Sequence, residues 1–166
     1  MSAHETVTHD PVFDGVVLAK LEALYAQYPD KRSLLLPALW LVQEARGWIS
    51  DGSITEVAER LGLTPAYVRG VVTFYTMYHT HPVGRHFIQV CTTSPCGICG
   101  AEDVARALVQ HTGCGDLGAT SADGRFTVIE VECLGACGFA TPVIIDDDFI
   151  DSVTPERVPE ILARYP

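Results

Sequence analysis

Basic side chains are scarce in this sequence. Eleven lysines and arginines stand against 21 aspartates and glutamates, for a formal net charge of −10. So acidic a chain is a poor nucleic-acid binder unless its cations gather on one face, and they do not. Nucleotide-cradling signals are missing too. No G-x-G-x-x-G follows a strand and there is no P-loop, so the chain is expected to bind neither NADH nor flavin by itself. No stretch approaches the length of a membrane span, and no direct membrane insertion is expected. Met1–Asp10 is polar and lacks the apolar core of a secretory signal, which predicts a reducing compartment. At 166 residues and 48% apolar content, the chain fits one domain, or one domain with a helical extension.

Cysteine is the residue with a pattern. Five of the six lie in two short glycine-flanked segments. V-C-T-T-S-P-C-G-I-C-G (90–100) holds Cys91, Cys96 and Cys99, and V-E-C-L-G-A-C-G (131–138) holds Cys133 and Cys137. Only Cys114 stands apart, and it reads as a small buried or loop thiol. Each segment follows an apolar run. Thiolates gathered on loops after strands close around a soft metal centre. The neighbouring glycines let backbone N–H groups turn toward sulfur, which stabilises an anionic cluster.

Three chemistries compete for these thiols. Disulfides fit poorly with a reducing compartment. Structural zinc favours C-x2-C knuckles, and Cys96/Cys99 is the only such pair. The C-x4-C spacing of Cys91 and Cys96 suits a [2Fe–2S] cluster better. Cys91-x4-Cys96-x2-Cys99 also matches the plant-type ferredoxin spacing, completed by Cys133 or Cys137. That reading leaves the C-x3-C pair half unused, and no run of short strands precedes Cys91 as a mostly β domain requires. Two pairs, Cys91/Cys96 and Cys133/Cys137, are favoured. Four cysteines so paired leave no place for His79, His81 or His86 as Rieske-type ligands. Those three read as surface or hinge residues, His4 and His9 fall in the leader, and His111 on a helix.

These pairs carry a resemblance, together with F-Y-T-M-Y-H-T-H-P-V-G-R-H before them, D-G-R-F-T between them and E-C-L-G-A-C-G at the second pair. From about Leu34 to the C-terminus the chain resembles the thioredoxin-like [2Fe–2S] subunits of NADH dehydrogenases. These are the E subunit of respiratory complex I and its relatives in NAD-dependent formate dehydrogenases and hydrogenases. Carried over by position, the resemblance implies that Cys91, Cys96, Cys133 and Cys137 bind the cluster. It departs at Gly97–Gly100, where the family often has a basic residue in place of Cys99. It further implies an electron-transfer subunit whose partner carries FMN and binds NADH. It places the chain in the cytoplasm, peripheral on the cytoplasmic side of the inner membrane within a complex.

The rest of the chain is read as a scaffold. Met1–Pro11 is a loose leader. Val12–Tyr28 is a helix, with Val17, Leu21, Leu24 and Tyr28 on one stripe. Ser33 is expected to cap Leu34–Arg46, which ends at Gly47. Ser53 and Glu56 form a capping box opening Ile54–Leu61, which Gly62 closes. Thr64 caps a fourth helix that begins at Pro65 and runs to about Tyr75. The last two helices resemble a DNA-reading helix-turn-helix, but the second carries one cation, Arg69, so a small bundle is preferred. Strands follow at His86–Val90, Arg125–Val131, Pro142–Ile145 and Phe149–Asp151. Helices are expected at Ala101–Thr112, with Val104, Ala105, Leu108 and Val109 inward, and from Thr154 to about Tyr165. The acidic run Asp146–Asp148 reads as a solvated turn. The fold is α/β: a small helical bundle over residues 1–82, then a thioredoxin-like [2Fe–2S] ferredoxin domain over 83–166. Both cysteine loops leave strand ends at one sheet edge, where such folds place their sites.

Two other functions use the same residues. A free-standing thioredoxin-like ferredoxin would act as a shuttle, but it has no need of the N-terminal helices. A dithiol oxidoreductase would use Cys96-Gly97-Ile98-Cys99, and it leaves Cys91, Cys133 and Cys137 unexplained.

Overall fold

The computed structural model describes residues 11–166. The expected leader, apart from Pro11, and both His4 and His9 lie outside the described residues. The chain divides into two compact units between Pro82 and Val83.

The first unit is helical: α1 (Gly15–Tyr25), α2 (Leu35–Arg46), α3 (Asp51–Leu61) and α4 (Pro65–Phe74). Its core is Leu21, Leu34, Leu39, Val42, Ile49, Ile54, Val57 and their neighbours, essentially without solvent exposure. Each such side chain contributes about 1.5–3 kcal/mol through apolar burial. Two caps differ from expectation. Asp30, not Ser33, supplies the oxygen that accepts the Ser33 N–H (2.9 Å), and the chain enters α2 through a 3₁₀ turn over Arg32–Leu34. An aspartate just ahead of a turn competes well for that amide. Helix α3 starts earlier than the Ser53–Glu56 box implies. Ser50 has the extended backbone a cap needs and accepts from the Ser53 N–H at 3.1 Å. Glu56 is thereby free for a distant task. Its carboxylate accepts the N–H groups of Val12 (2.8 Å) and Phe13 (3.2 Å) and pairs with Arg60 (3.1 Å), tying the segment before α1 to α3. Thr64 caps α4 as expected, with Pro65 in its first turn. Arg69, the one cation of the supposed recognition helix, pairs with Asp51 at 2.8 Å.

The second unit is a four-stranded sheet in the order β2-β1-β3-β4. Strand β1 (His86–Cys91) is central. It runs parallel to β2 (Phe126–Val131), because α6 (Ala101–Thr112) provides the crossover, and antiparallel to β3 (Val143–Ile145). A tight hairpin adds β4 (Asp148–Ile150). Ile88, Val90, Val104, Leu108, Val128 and Ile145 fill the core. Cys114 is buried with them, its thiol donating to the Phe126 carbonyl. Val109, expected inward, is only partly buried.

Three details depart from the sequence reading. A five-residue helix, α5 (Ser94–Ile98), carries Cys96. The C-terminal helix is broken into a 3₁₀ turn (Pro155–Arg157) and α7 (Val158–Leu162), and Thr154 makes no side-chain cap. A second proline, Pro159, has no N–H to continue the first turn. Asp146 is more than a solvated residue: its carboxylate bonds His86 Nδ1 (2.7 Å) and accepts the Phe87 N–H (2.8 Å). No helix among the described residues is long and apolar enough to cross a membrane.

Candidate metal centre

The two cysteine loops leave neighbouring parallel strands at the same end. Cys91 is the last residue of β1, opposite Val131, the last of β2. Parallel register therefore delivers the loops side by side. After Cys91 the chain turns through Thr92 and Thr93 into α5, which opens with Ser94-Pro95. A proline in the first turn costs no hydrogen bond and starts a helix well. The short helix swings Cys96 back inside: Cys91 is 2% and Cys96 1% exposed. They pack with Ala101, Leu134 and Ala140 in a small apolar pocket. Cys133 and Cys137, on the second loop, are exposed.

Hydrogen bonds stitch the two loops together around sulfur. The Cys91 thiol donates to the Glu132 carbonyl at 3.5 Å. Burial raises the Cys91 thiol, but the backbone N–H groups of Leu134 and Thr93, with bonds from Cys96 and Thr93, outweigh it and hold the thiol below its ordinary value. Leu134 belongs to the second loop, so one loop's amide stabilises the other's thiolate. Gly135, at φ +72°, donates its N–H to Cys133 Sγ at 3.4 Å. That left-handed conformation is the reason a glycine stands there.

Cys96 shows which thiols share the site. Its own thiol is pushed up to about 11, first by burial, then by its hydrogen bond to Cys91 and by repulsion from Cys91, Cys137 and Cys133. The register of β1 and β2 starts both cysteine loops at one end of the sheet, and Cys91 and Cys96 pack together in the buried pair. Cys99 is not part of the buried Cys91/Cys96 cluster. It lies exposed at the C-terminal end of α5, its N–H bonded to the Pro95 carbonyl. His86 stands at the opposite end of β1 from Cys91, about 16 Å away at the usual rise per residue. His79 and His81 belong to the first unit.

Among the described residues, no three His, Cys, Asp or Glu side chains gather tightly enough to hold one metal ion. Four thiols spread over two loops, with amides directed at sulfur, fit a two-iron cluster. Such a cluster divides its ligands between two metals and accepts N–H···S bonds. The sequence reading missed α5, the element that buries Cys96. Thr93-Ser94-Pro95 was the available signal.

Comparisons with known proteins agree with this chemistry. The sequence model of the thioredoxin-like [2Fe-2S] ferredoxin family matches residues 21–166. The chain is 44% identical over 138 residues to the E subunit of NADH-quinone oxidoreductase from Pseudomonas aeruginosa, covering 83% of this chain and 82% of that protein. The corresponding E subunit from Escherichia coli is 41% identical over the same lengths. An NAD+-reducing [NiFe]-hydrogenase in its H2-reduced state shares the fold with a TM-score of 0.66 at 20% identity, over 80% of this chain and 22% of that one.

Proposed function

This chain belongs to the thioredoxin-like [2Fe–2S] ferredoxin family, and from that premise we propose that it is the electron-transfer subunit of an NADH:quinone oxidoreductase. In this reading Cys91, Cys96, Cys133 and Cys137 hold the cluster. The partner is a subunit that carries FMN and binds NADH, and the assembly lies peripherally on the cytoplasmic side of the inner membrane. Residues 83–166 carry the cluster and residues 1–82 serve assembly.

The observation that supports the ligand set is the parallel register of β1 and β2, which starts both cysteine loops at one end of the sheet, with the Cys91 thiol bonded to the Glu132 carbonyl of the second loop. The identity of 41–44% to E subunits of NADH-quinone oxidoreductases supports the choice of complex.

When bound, the cluster supplies one-electron redox chemistry, which a two-electron hydride donor and its flavin require from a neighbour. The chain's own residues do the rest. Cys91 and Cys96 provide donors in a dry pocket with Ala101, Leu134 and Ala140. Cys133 and Cys137 provide donors at the surface, where a partner can approach. The N–H groups of Leu134, Thr93 and Gly135 neutralise part of the thiolate charge, and N–H···S bonds of this kind raise a cluster's potential.

Anaerobic purification tests the reading. The protein should be red-brown, with about two iron and two sulfide per chain. It should oxidise NADH only after the flavin subunit is added. Stoichiometric zinc without acid-labile sulfide would sink the proposal, and so would NADH turnover by this chain alone.

A further inference from the structure

A groove of about 720 Å³ lies in the second unit beside the cysteine loops, between α6, the Gly113–Gly118 loop and the outer edge of β2. Ala105, Val109 and Leu117 line it with apolar surface, and Glu102, Asp116 and Glu130 bring three carboxylates to it. Its single cation, Arg106, is engaged by Asp103. Glu102 follows Cys99 by three residues and Glu130 precedes Cys133 by three, so one end of the groove borders the cluster site.

The groove also contains an open strand edge. Strand β2 is outermost in the sheet. The Gly118 N–H donates to the Val128 carbonyl (2.7 Å) and the Ser121 N–H to the Phe126 carbonyl (2.8 Å), which covers that edge at two successive outward positions. The next outward position is Glu130, and no such bond reaches its backbone among the described residues. An unpaired edge is a template for another strand. The glycines of G-C-G-D-L-G (113–118) match the letters of a phosphate-binding loop, but they follow a helix rather than a strand. Three carboxylates around them repel phosphate.

We propose that this groove docks an extended, lysine- or arginine-bearing segment of the flavin- and NADH-binding partner subunit. The proposal rests on the assembly inferred above. Length and charge both favour such an occupant. Helix α6 has 12 residues and spans about 18 Å, which is the length of about five residues of β-strand. The carboxylates supply charge complementarity to a basic segment, the apolar floor takes its alternate side chains, and the Glu130 edge takes its backbone.

The test uses the cluster-loaded chain and the flavin subunit of the same complex, with affinity measured by sedimentation at about 50 and 300 mM salt. The double variant Glu102→Gln/Glu130→Gln should bind at least tenfold more weakly at low salt and lose most of its salt dependence, with iron and sulfide content unchanged. Asp147→Asn/Asp151→Asn removes the same charge near β4, at the opposite sheet edge, and should change affinity less than twofold. A photo-crosslinker at Gln110, which lines the groove, should capture a partner peptide with two or more basic residues. If the double variant binds as the wild type does, or weakens only as the control does, the groove proposal falls while the subunit assignment stands. Capture of a neutral or acidic peptide overturns the groove proposal in the same way. A wild-type chain that does not bind the flavin subunit overturns both.

Discussion

The two cysteine loops leave adjacent parallel strands in register, yet they are built on different terms. The first is enclosed: Cys91 and Cys96 are 2% and 1% exposed, held by β1 and α5 in an apolar pocket. The second is open: Cys133 and Cys137 are exposed, with the positive-φ Gly135 between them and a short 3₁₀ turn, Cys137–Phe139, beginning at the second. Burial keeps water from half of the site, and exposure leaves the other half in reach of a partner. A cluster's potential depends on hydrogen bonds to sulfur and on solvent access. This chain divides those two controls between its loops, and the Cys91 thiol joins them by donating to the Glu132 carbonyl of the second loop, with Leu134 packed against the buried pair.

Removing a donor should break the comparison most severely. Serine at Cys91 or Cys96 should abolish cluster binding, because a hydroxyl is a poor soft-metal donor. Serine at Cys133 or Cys137 should also lose the cluster. There, however, water or added thiolate can reach the vacancy, so a changed spectrum under excess thiol should be recoverable only in the second pair. Visible absorption and iron content across the four variants check this. Equal rescue of both pairs would remove the distinction between the loops.

Thiol counting gives the next largest effect. In the cluster-free native chain, Cys99, Cys133 and Cys137 are exposed while Cys91, Cys96 and Cys114 are buried. A chromogenic disulfide reagent should therefore find three fast and three slow thiols. Loading the cluster should leave one fast thiol, Cys99, because the other two become ligands. Three fast thiols in the loaded protein would contradict the ligand set.

Much of this was legible in the sequence. The apolar runs before the cysteines placed both cysteine loops at strand ends, and the Leu- and Val-rich periodicity placed most of the helices. What stayed hidden was short or distant. Helix α5 has only five residues and includes Gly97, too few to show a period. The choice of Ser50 over Ser53 as cap turned on which serine takes extended backbone. The use of Glu56 by Val12 and Phe13, and of Asp146 by His86 60 residues away, depends on tertiary contact that no local pattern records. Burial of one cysteine pair and exposure of the other follows from packing against Ala101, Leu134 and Ala140, and spacing alone is silent on it.

Glycine substitutions should sharpen the contrast between framework and open loop. A Cβ at Gly84, just before β1, would lie 2.6 Å from the Phe126 backbone carbon. Backbone cannot yield as a side chain can, so Gly84→Ala should destabilise the second unit by about 2–3 kcal/mol, within the range for overpacking. At Gly135 a Cβ meets nothing within 4 Å, and only the positive φ opposes it. Gly135→Ala should cost about 1–2 kcal/mol, spent locally: a looser N–H···Sγ bond to Cys133 and a lowered cluster potential. Denaturant unfolding and redox titration of both variants separate the two outcomes.

The smallest effect is expected at Cys99. Its spacing from Cys96 fits both a plant-type ligand set and a reactive dithiol, so the sequence alone makes it a contender. In the fold it lies exposed at the end of α5, while Cys96 is buried against Cys91. Cys99→Ser should therefore leave iron content and the visible spectrum unchanged, and move the potential only through altered solvation near the buried pair. The plant-type set predicts the reverse: Cys99→Ser would destroy the cluster, and one of Cys133 or Cys137 would be dispensable. Cluster occupancy in the five single cysteine-to-serine variants decides between them. A colourless Cys99→Ser protein would overturn the two-pair set and, with it, the division of the site into a buried half and an open one.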